Sequence, residues 1–287
     1  MDLTNANLSQ RADLHTHTTA SDGMQRPADN VAMAKARGLA ALAITDHDTV
    51  DGIAEALEAG ERLGITVVPG VEISTVANGR DIHILGYYIN WNSVAWQTKL
   101  KSLAGTRDQR NVMILERLRE LGLPVTMEEV LEAARAQGKD SGSLGRPHIA
   151  AVLIAKGFVG SMQEAFDRYL GEGGSAYANP PRLHPFEALA WIKEAGGTSV
   201  IAHPGLYGSD ELVEEIIARG AEGIEAHHPD HSPEDEARYL RMAERHGLIV
   251  TGGSDFHGER HGVVFHGELG SKTAPVGVLQ QLNPSRR

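Results

Sequence analysis

Short apolar runs alternate with amphipathic stretches over the first ninety residues. The pattern predicts strands over 12–17, 39–45, 65–71 and 81–89, with helices over 27–37 and 51–63 between the first three. Proline opens the first of these helices and Gly64 closes the second. Strands separated by helices imply a parallel sheet or barrel. From 91 to about 185 the period becomes helical throughout, with helices predicted over 96–121, 126–137, 146–156 and 161–170. The alternation then resumes: helix 185–195, strand 198–202, helix 210–219, strand 223–226, helix 233–246 and strand 248–251. One α/β domain built from 1–90 and 185–287, interrupted by an all-helical insertion over 91–184, accounts for this order. After Asp255 the pattern is weak and predicts little.

A length of 287 residues suits an α/β barrel of roughly 250 residues carrying an insertion. There is no cysteine, which excludes disulfides, thiolate metal sites and a cysteine nucleophile. With 27 Lys+Arg against 38 Asp+Glu the formal charge is −11, which repels long polyanions such as DNA and turns attention to small ligands. The first eleven residues lack the basic and apolar regions of a signal peptide, and no apolar run approaches a bilayer span, so no membrane partner is expected and the cytoplasm is the default location. What stands out is histidine, present fourteen times.

The histidines are not scattered. Asp13-Leu14-His15-Thr16-His17 places two imidazoles at i and i+2 of a strand, where alternation points both the same way. The second strand ends in Thr45-Asp46-His47-Asp48, the third in Pro69-Gly70-Val71-Glu72, and the fourth begins Asp81-Ile82-His83. Later strands run into Ala202-His203-Pro204 and Gly253-Ser254-Asp255-Phe256-His257. Strand ends are where α/β folds place their chemistry. With Asp22 in the first loop, the candidate ligands are His15, His17, Asp22, His47, Glu72, His83, His203, Asp255 and His257. Nine donors exceed the needs of one ion, so several ions with a bridging carboxylate are expected; three fit the count. Nitrogen and oxygen donors without sulfur suit Mn²⁺, Fe²⁺ or Zn²⁺.

Three divalent ions against three carboxylates leave the cleft at about +3 within an acidic molecule. Such a cleft favours a compact, multiply charged anion. A phosphate monoester answers that description, and metal-activated hydroxide would hydrolyse it.

The strand-end motifs, together with Ser21-Asp22-Gly23, resemble the four-motif pattern of the PHP (polymerase and histidinol phosphatase) superfamily. The resemblance implies a distorted (β/α)7 barrel with a trinuclear centre, Mn²⁺ foremost. It implies His15, His17, Glu72 and Asp255 at one ion, Glu72, His83 and His203 at a second, and Asp22, His47 and His257 at a third. Within the insertion, Gly145-Arg146-Pro147-His148, 165–171 and Ala176-Tyr177 resemble the branch acting on nucleoside 3′,5′-bisphosphates and short RNA ends. That implies a phosphatase releasing a mononucleotide and phosphate, with Arg146 and His148 facing the substrate and the helices capping the cleft. Gly173-Gly174-Ser175 stands where the branch usually carries a lysine. The resemblance also implies His231 near the substrate, to bind phosphate or to protonate the leaving group. A 5′–3′ exoribonuclease on short RNA, a histidinol phosphatase and an inactive metal-binding scaffold are the competing readings. Asp46 and Asp48 are expected to orient neighbouring imidazoles. His227 is expected to pack beside the barrel, His228 is left open, and His184, His246, His261 and His266 are read as surface or packing residues.

Overall fold

The computed structural model describes residues 10–136, 144–178, 182–260 and 263–286. Its first half runs β1 (Arg11–Asp13), α1 (Pro27–Ala36), β2 (Ala41–Ile44), α2 (Ile53–Leu63), β3 (Thr66–Ala77) and β4 (Arg80–Tyr87). Helices follow: α3 (Val94–Glu120), α4 (Met127–Ala136), α5 (Arg146–Ala155) and α6 (Met162–Ala165), the last continued by a π-helical turn, Phe166–Leu170. Then come α7 (Pro185–Glu194), β5 (Thr198–Ile201), α8 (Asp210–Ala218), β6 (Gly223–His227), α9 (Pro233–His246) and β7 (Ile249–Gly252). The chain closes with a small hairpin, β8 (Glu259–Arg260) and β9 (Val263–Val264), then β10 (Ala274–Pro275) and α10 (Val278–Leu282).

Local signals explain the elements. Ser232 caps α9 by accepting from Asp235 N–H while the Asp235 carboxylate accepts from Ser232 N–H, a reciprocal closure of the helix start. Glu234 and Glu236 sit in its first turn and Arg245 in its last, matching the helix dipole. β2 reads Ala-Leu-Ala-Ile and is buried on both sides, as a parallel strand between helices and a barrel interior must be. Leu42 and Ile44 join the cluster under the outer helices, whereas Ala41 and Ala43 face the inner cluster with Leu14, Val68 and Leu85.

The main sheet has the order β10-β1-β2-β3-β4-β5-β6-β7. Beyond β1, Leu14 N–H donates to Gly252 O at 3.2 Å and Thr16 bridges Phe256 in parallel, so the first and seventh strands meet and the barrel closes. The seven strands β1 to β7 thus follow one another around the barrel, the expected (β/α)7 plan. Its distortion lies at β4, which is antiparallel to both β3 and β5. No helix separates β3 from β4. Instead Asn78 and Gly79 form a two-residue turn with φ of 52° and 81°, and Asn-Gly is the pair that tolerates positive φ at both positions of a hairpin. The C-terminal part of α3 packs with α4, α5 and the π turn around an apolar cluster of their own, centred on Ile114, Leu118, Ile149 and Leu153. Among the described residues no helix is long and apolar enough to cross a membrane.

Candidate metal centre

Parallel strands deliver their C-terminal ends to one mouth of the barrel. The reversal of β4 brings its N-terminal half to that same mouth, which is why His83 lies near the start of its strand when the other ligands lie at or beyond ends. Ser74 pairs with His83 and Glu72 with Leu85, so Glu72 and His83 are diagonal neighbours on one face. His47 bridges Glu72 in parallel just beyond β2. His203 and Asp255 leave their strands with φ of 25° and 49°, backbone conformations that non-glycine residues adopt at a cost and that recur where function fixes a side chain.

All nine candidate ligands converge, and Glu72 stands at the centre. Its Oε1 lies 2.8 Å from His83 Nδ1 and 3.0 Å from His203 Nε2. Its Oε2 lies 3.0 Å from His47 Nδ1, 3.2 Å from His17 Nε2 and 3.3 Å from His15 Nε2. Asp255 Oδ1 approaches His17 Nε2 at 3.1 Å and His15 Nε2 at 3.3 Å. Asp22 faces His257 Nε2 at 3.4 Å, His17 Nδ1 at 3.6 Å and His47 Nε2 at 3.9 Å.

These groups fit divalent cations on their own geometry. His15 Nε2, His17 Nε2, Glu72 Oε2 and Asp255 Oδ1 are buried and make no hydrogen bond among the described residues. They belong to one set of donors lying within 4.8 Å of one another; His17, Asp22, His47 and His257 form a second such set, and His47, Glu72 and His83 a third. Buried polar atoms normally find hydrogen-bond partners. Four that converge without one form a coordination shell of hard and borderline donors suited to a divalent ion.

The electrostatics agree. Burial opposes ionisation of Glu72, yet the surrounding imidazoles, His47 and His83 foremost, hold its carboxyl well below the usual range. Asp255 and Asp22 are held low against burial in the same way. For His17, burial is outweighed by the negative charges of Asp255 and Glu72 beside it, which push it up to about 10. Burial carries His203 down to about 4. Protons and cations compete for this carboxylate-rich pocket.

Behind the ligands stands Glu225, at the end of β6 and fully buried. Its carboxylate oxygens lie 3.1 and 3.2 Å from His15 Nδ1 and accept from His203 N–H at 2.9 Å. A proton shared with Glu225 at Nδ1 leaves the His15 Nε2 lone pair facing the ligand set. β6 ends in Glu225-Ala226-His227, a carboxylate and a histidine at i and i+2, the signal by which Glu225 could have been found. His228 is also buried in the site, with Nε2 at 3.3 Å from Asp255 Oδ2.

Several expectations need correction. His266, read as a surface or packing residue, lies at the rim with Nδ1 2.5 Å from Asp230 Oδ2 and Nε2 3.6 Å from Asp255 Oδ2. Its segment has too little periodicity to place from sequence. Asp46 acts on the ligand loop, accepting from Thr18 N–H at 2.7 Å, Ser21 Oγ at 2.6 Å and Thr18 Oγ1 at 2.8 Å. Asp48 accepts from Ser74 N–H at 2.8 Å. Both short carboxylates thus brace backbone and hydroxyl groups. His231 has both ring nitrogens on the backbone: Nδ1 is 2.9 Å from Ala226 O, and Nε2 accepts from Gly205 N–H at 3.1 Å. A Cβ on Gly205 would lie 2.6 Å from the His231 ring.

The helical segment reaches the mouth at α5. A Cβ on Gly145 would stand 3.9 Å from Asp22 Oδ2, and His148 Nδ1 accepts from Gly145 N–H at 3.0 Å, closing the helix start there. Arg146 bonds Asp81 Oδ2 at 2.8 Å and Leu170 O at 3.3 Å. His184 starts α7, His227 Nδ1 lies 3.3 Å from Glu236 Oε2, His246 pairs with Glu214, and His261 lies outside the described residues.

Known proteins resemble this chain over most of its length. The sequence profile of the PHP domain matches residues 13–141. A phosphoribosyl 1,2-cyclic phosphate 1,2-diphosphodiesterase of Eggerthella lenta is 36% identical over 86% of this chain and 94% of its own. A 3′,5′-nucleoside bisphosphate phosphatase of Chromobacterium violaceum is 37% identical over 87% and 88%, and the 5′-3′ exoribonuclease Rnm of Escherichia coli 35% over 89% and 88%. A crystal structure from Bifidobacterium adolescentis, assigned as a metal-dependent phosphoesterase, superposes with a TM-score of 0.84 at 34% identity over 94% of both chains. Site geometry and likeness over nearly the full length agree: the chain belongs to the PHP family and is a metal-dependent phosphoesterase.

Proposed function

We propose that this phosphoesterase removes one phosphate from a nucleoside 3′,5′-bisphosphate, releasing a mononucleotide and inorganic phosphate. The observation that carries the metal chemistry is Glu72, a buried carboxylate with two imidazoles at one oxygen and three at the other. Three divalent ions, Mn²⁺ foremost, would be held by Glu72 with His15, His17 and Asp255, by Glu72 with His83 and His203, and by Asp22 with His47 and His257. Bound there, the ions polarise phosphoryl oxygens and lower the pKa of water.

The chain's own groups do the rest. Glu225 fixes the tautomer of His15 and the backbone of His203. Asp46 holds the loop that presents Asp22. The helical insertion over 91–184 caps the mouth, where the start of α5 meets Asp22 and Arg146 offers a planar guanidinium to a second phosphate. His148 fixes that helix start. With both nitrogens engaged by the backbone, His231 shapes the wall of the site and is not the proton donor to the leaving group.

The test is steady-state kinetics of the Mn²⁺-loaded protein on a panel of phosphate esters. Nucleoside 3′,5′-bisphosphates are expected to exceed simple monoesters by about tenfold or more in kcat/KM; equal values would reject the substrate assignment. Likeness to an exoribonuclease over 89% of the chain makes short RNA the second substrate class to include.

A further inference from the structure

Beside the metal mouth lies a second cluster of buried charge. Asp81 is on β4 opposite Val76, as His83 is opposite Ser74, so the two share a face of the strand. Asp81 Oδ2 accepts from Arg146 Nη2 at 2.8 Å, and Oδ1 accepts from Arg182 Nη2. Tyr177 OH donates to Oδ1 at 3.4 Å. The charge of Arg110, a buried residue of α3, acts on the same carboxylate. The Arg146 guanidinium lies 5.8 Å from the Phe166 ring centroid and 5.9 Å from that of Tyr177, and its Nη1 bonds Leu170 O. Two guanidiniums are thereby held on the two oxygens of one carboxylate, on the strand that carries His83.

Resting on the function proposed above, we infer that Arg182 joins Arg146 in binding the phosphate that is not hydrolysed, with Asp81 as the positioning residue that holds the two guanidiniums together. Paired guanidiniums recognise phosphate through parallel N–H···O bonds. Asp81 screens them between turnovers. Because of this internal carboxylate, a hydroxyl or other weakly charged group cannot compete for the arginines, whereas a dianionic phosphoryl can. The pocket therefore discriminates bisphosphates from monoesters by charge.

The experiment compares the Mn²⁺-loaded full chain with Arg182→Gln and Asp81→Asn on adenosine 3′,5′-bisphosphate and on the adenosine 3′- and 5′-monophosphates, the one that is turned over serving as the monoester. Both substitutions are expected to raise KM for the bisphosphate at least tenfold more than KM for the monoester, with kcat changed less than threefold. Sulfate provides a readout independent of turnover: the rise in Tm it produces should be smaller in Arg182→Gln than in the unsubstituted protein. Equal KM changes on both substrates, or an undiminished sulfate response, would overturn the pocket and make the cluster a structural staple between insertion and barrel. Absence of bisphosphate preference in the unsubstituted protein would overturn the proposed substrate and the pocket together. Preference present in the unsubstituted protein, with KM raised equally for both substrates in the variants, would overturn the pocket alone.

Discussion

Each imidazole at the mouth is set by a carboxylate. Glu225 is the clearest case, since it touches no other candidate ligand except His15 and the backbone of His203. Replacing Glu225 by Gln keeps the volume and removes the charge that favours the His15 tautomer. Divalent affinity should fall about 10- to 100-fold, measurable by competition with a chromophoric chelator. Protons provide a second residue-scale test. In the ion-free protein His17 is raised from 6.5 to about 10 against the opposition of burial, by Asp255 and Glu72. A group raised on folding stabilises fully below its unfolded pKa, and that stability is lost as pH rises through the folded one. Chelator-treated protein should therefore lose Tm steadily between about pH 6.5 and pH 10. In the metal-loaded protein the same rise in pH strengthens ligation, so the decline should be smaller; parallel curves would count against ligation by His17.

At the scale of elements, the barrel's mouth depends on close backbone approaches. Gly253 follows β7 where a Cβ would stand 2.3 Å from His15 Cβ and 2.4 Å from His15 N. Gly253→Ala must push β1 and β7 apart at their closure, and a cost of about 1–3 kcal/mol is expected for such overpacking. Thermal melts and metal content should both fall, because the strand displaced carries His15 and His17. Asp13 works at the same seam: it accepts from Ser254 N–H at 2.9 Å, Ser254 Oγ at 2.6 Å and Gly270 N–H at 2.7 Å. The seam was only half legible. His15 and His17 were readable by alternation, but the contacts that fix their strand join Asp13 to Ser254, 241 residues away. β4 shows the converse. Its antiparallel direction is encoded locally by Asn78-Gly79, and a reading guided by strand–helix rhythm passed over it. His266 lies in a segment where neither rhythm nor turn chemistry marks a role.

For the whole molecule, histidines from both halves of the chain surround Glu72, so ions bound there would hold the barrel closed. Binding to the folded state alone at a hundredfold excess over Kd adds about 2.7 kcal/mol. Removing the ions with a chelator should lower Tm and restoring Mn²⁺ should recover it; no change would argue that the cluster is not a metal centre. Charge sets a limit on substrate size. A net charge of −11 around a mouth that bound ions would make cationic favours short anions, so turnover per RNA end should fall with length between dinucleotides and about twenty nucleotides.

The sequence alone determined the fold class and picked out the histidines and carboxylates that meet at the mouth. Six apolar strands meeting histidine or carboxylate at one end is a local regularity, and a barrel gathers such ends at one mouth. Tertiary structure decided what no local pattern carries: the diagonal pairing of Glu72 with His83, the support of His15 by Glu225, and the meeting of Asp81 with Arg182 across 101 residues. Periodicity reports which face a side chain takes, because that is fixed by its own backbone. Which partner waits on that face is fixed by closure of the barrel and packing of the helices over it, and these involve residues distant in the chain.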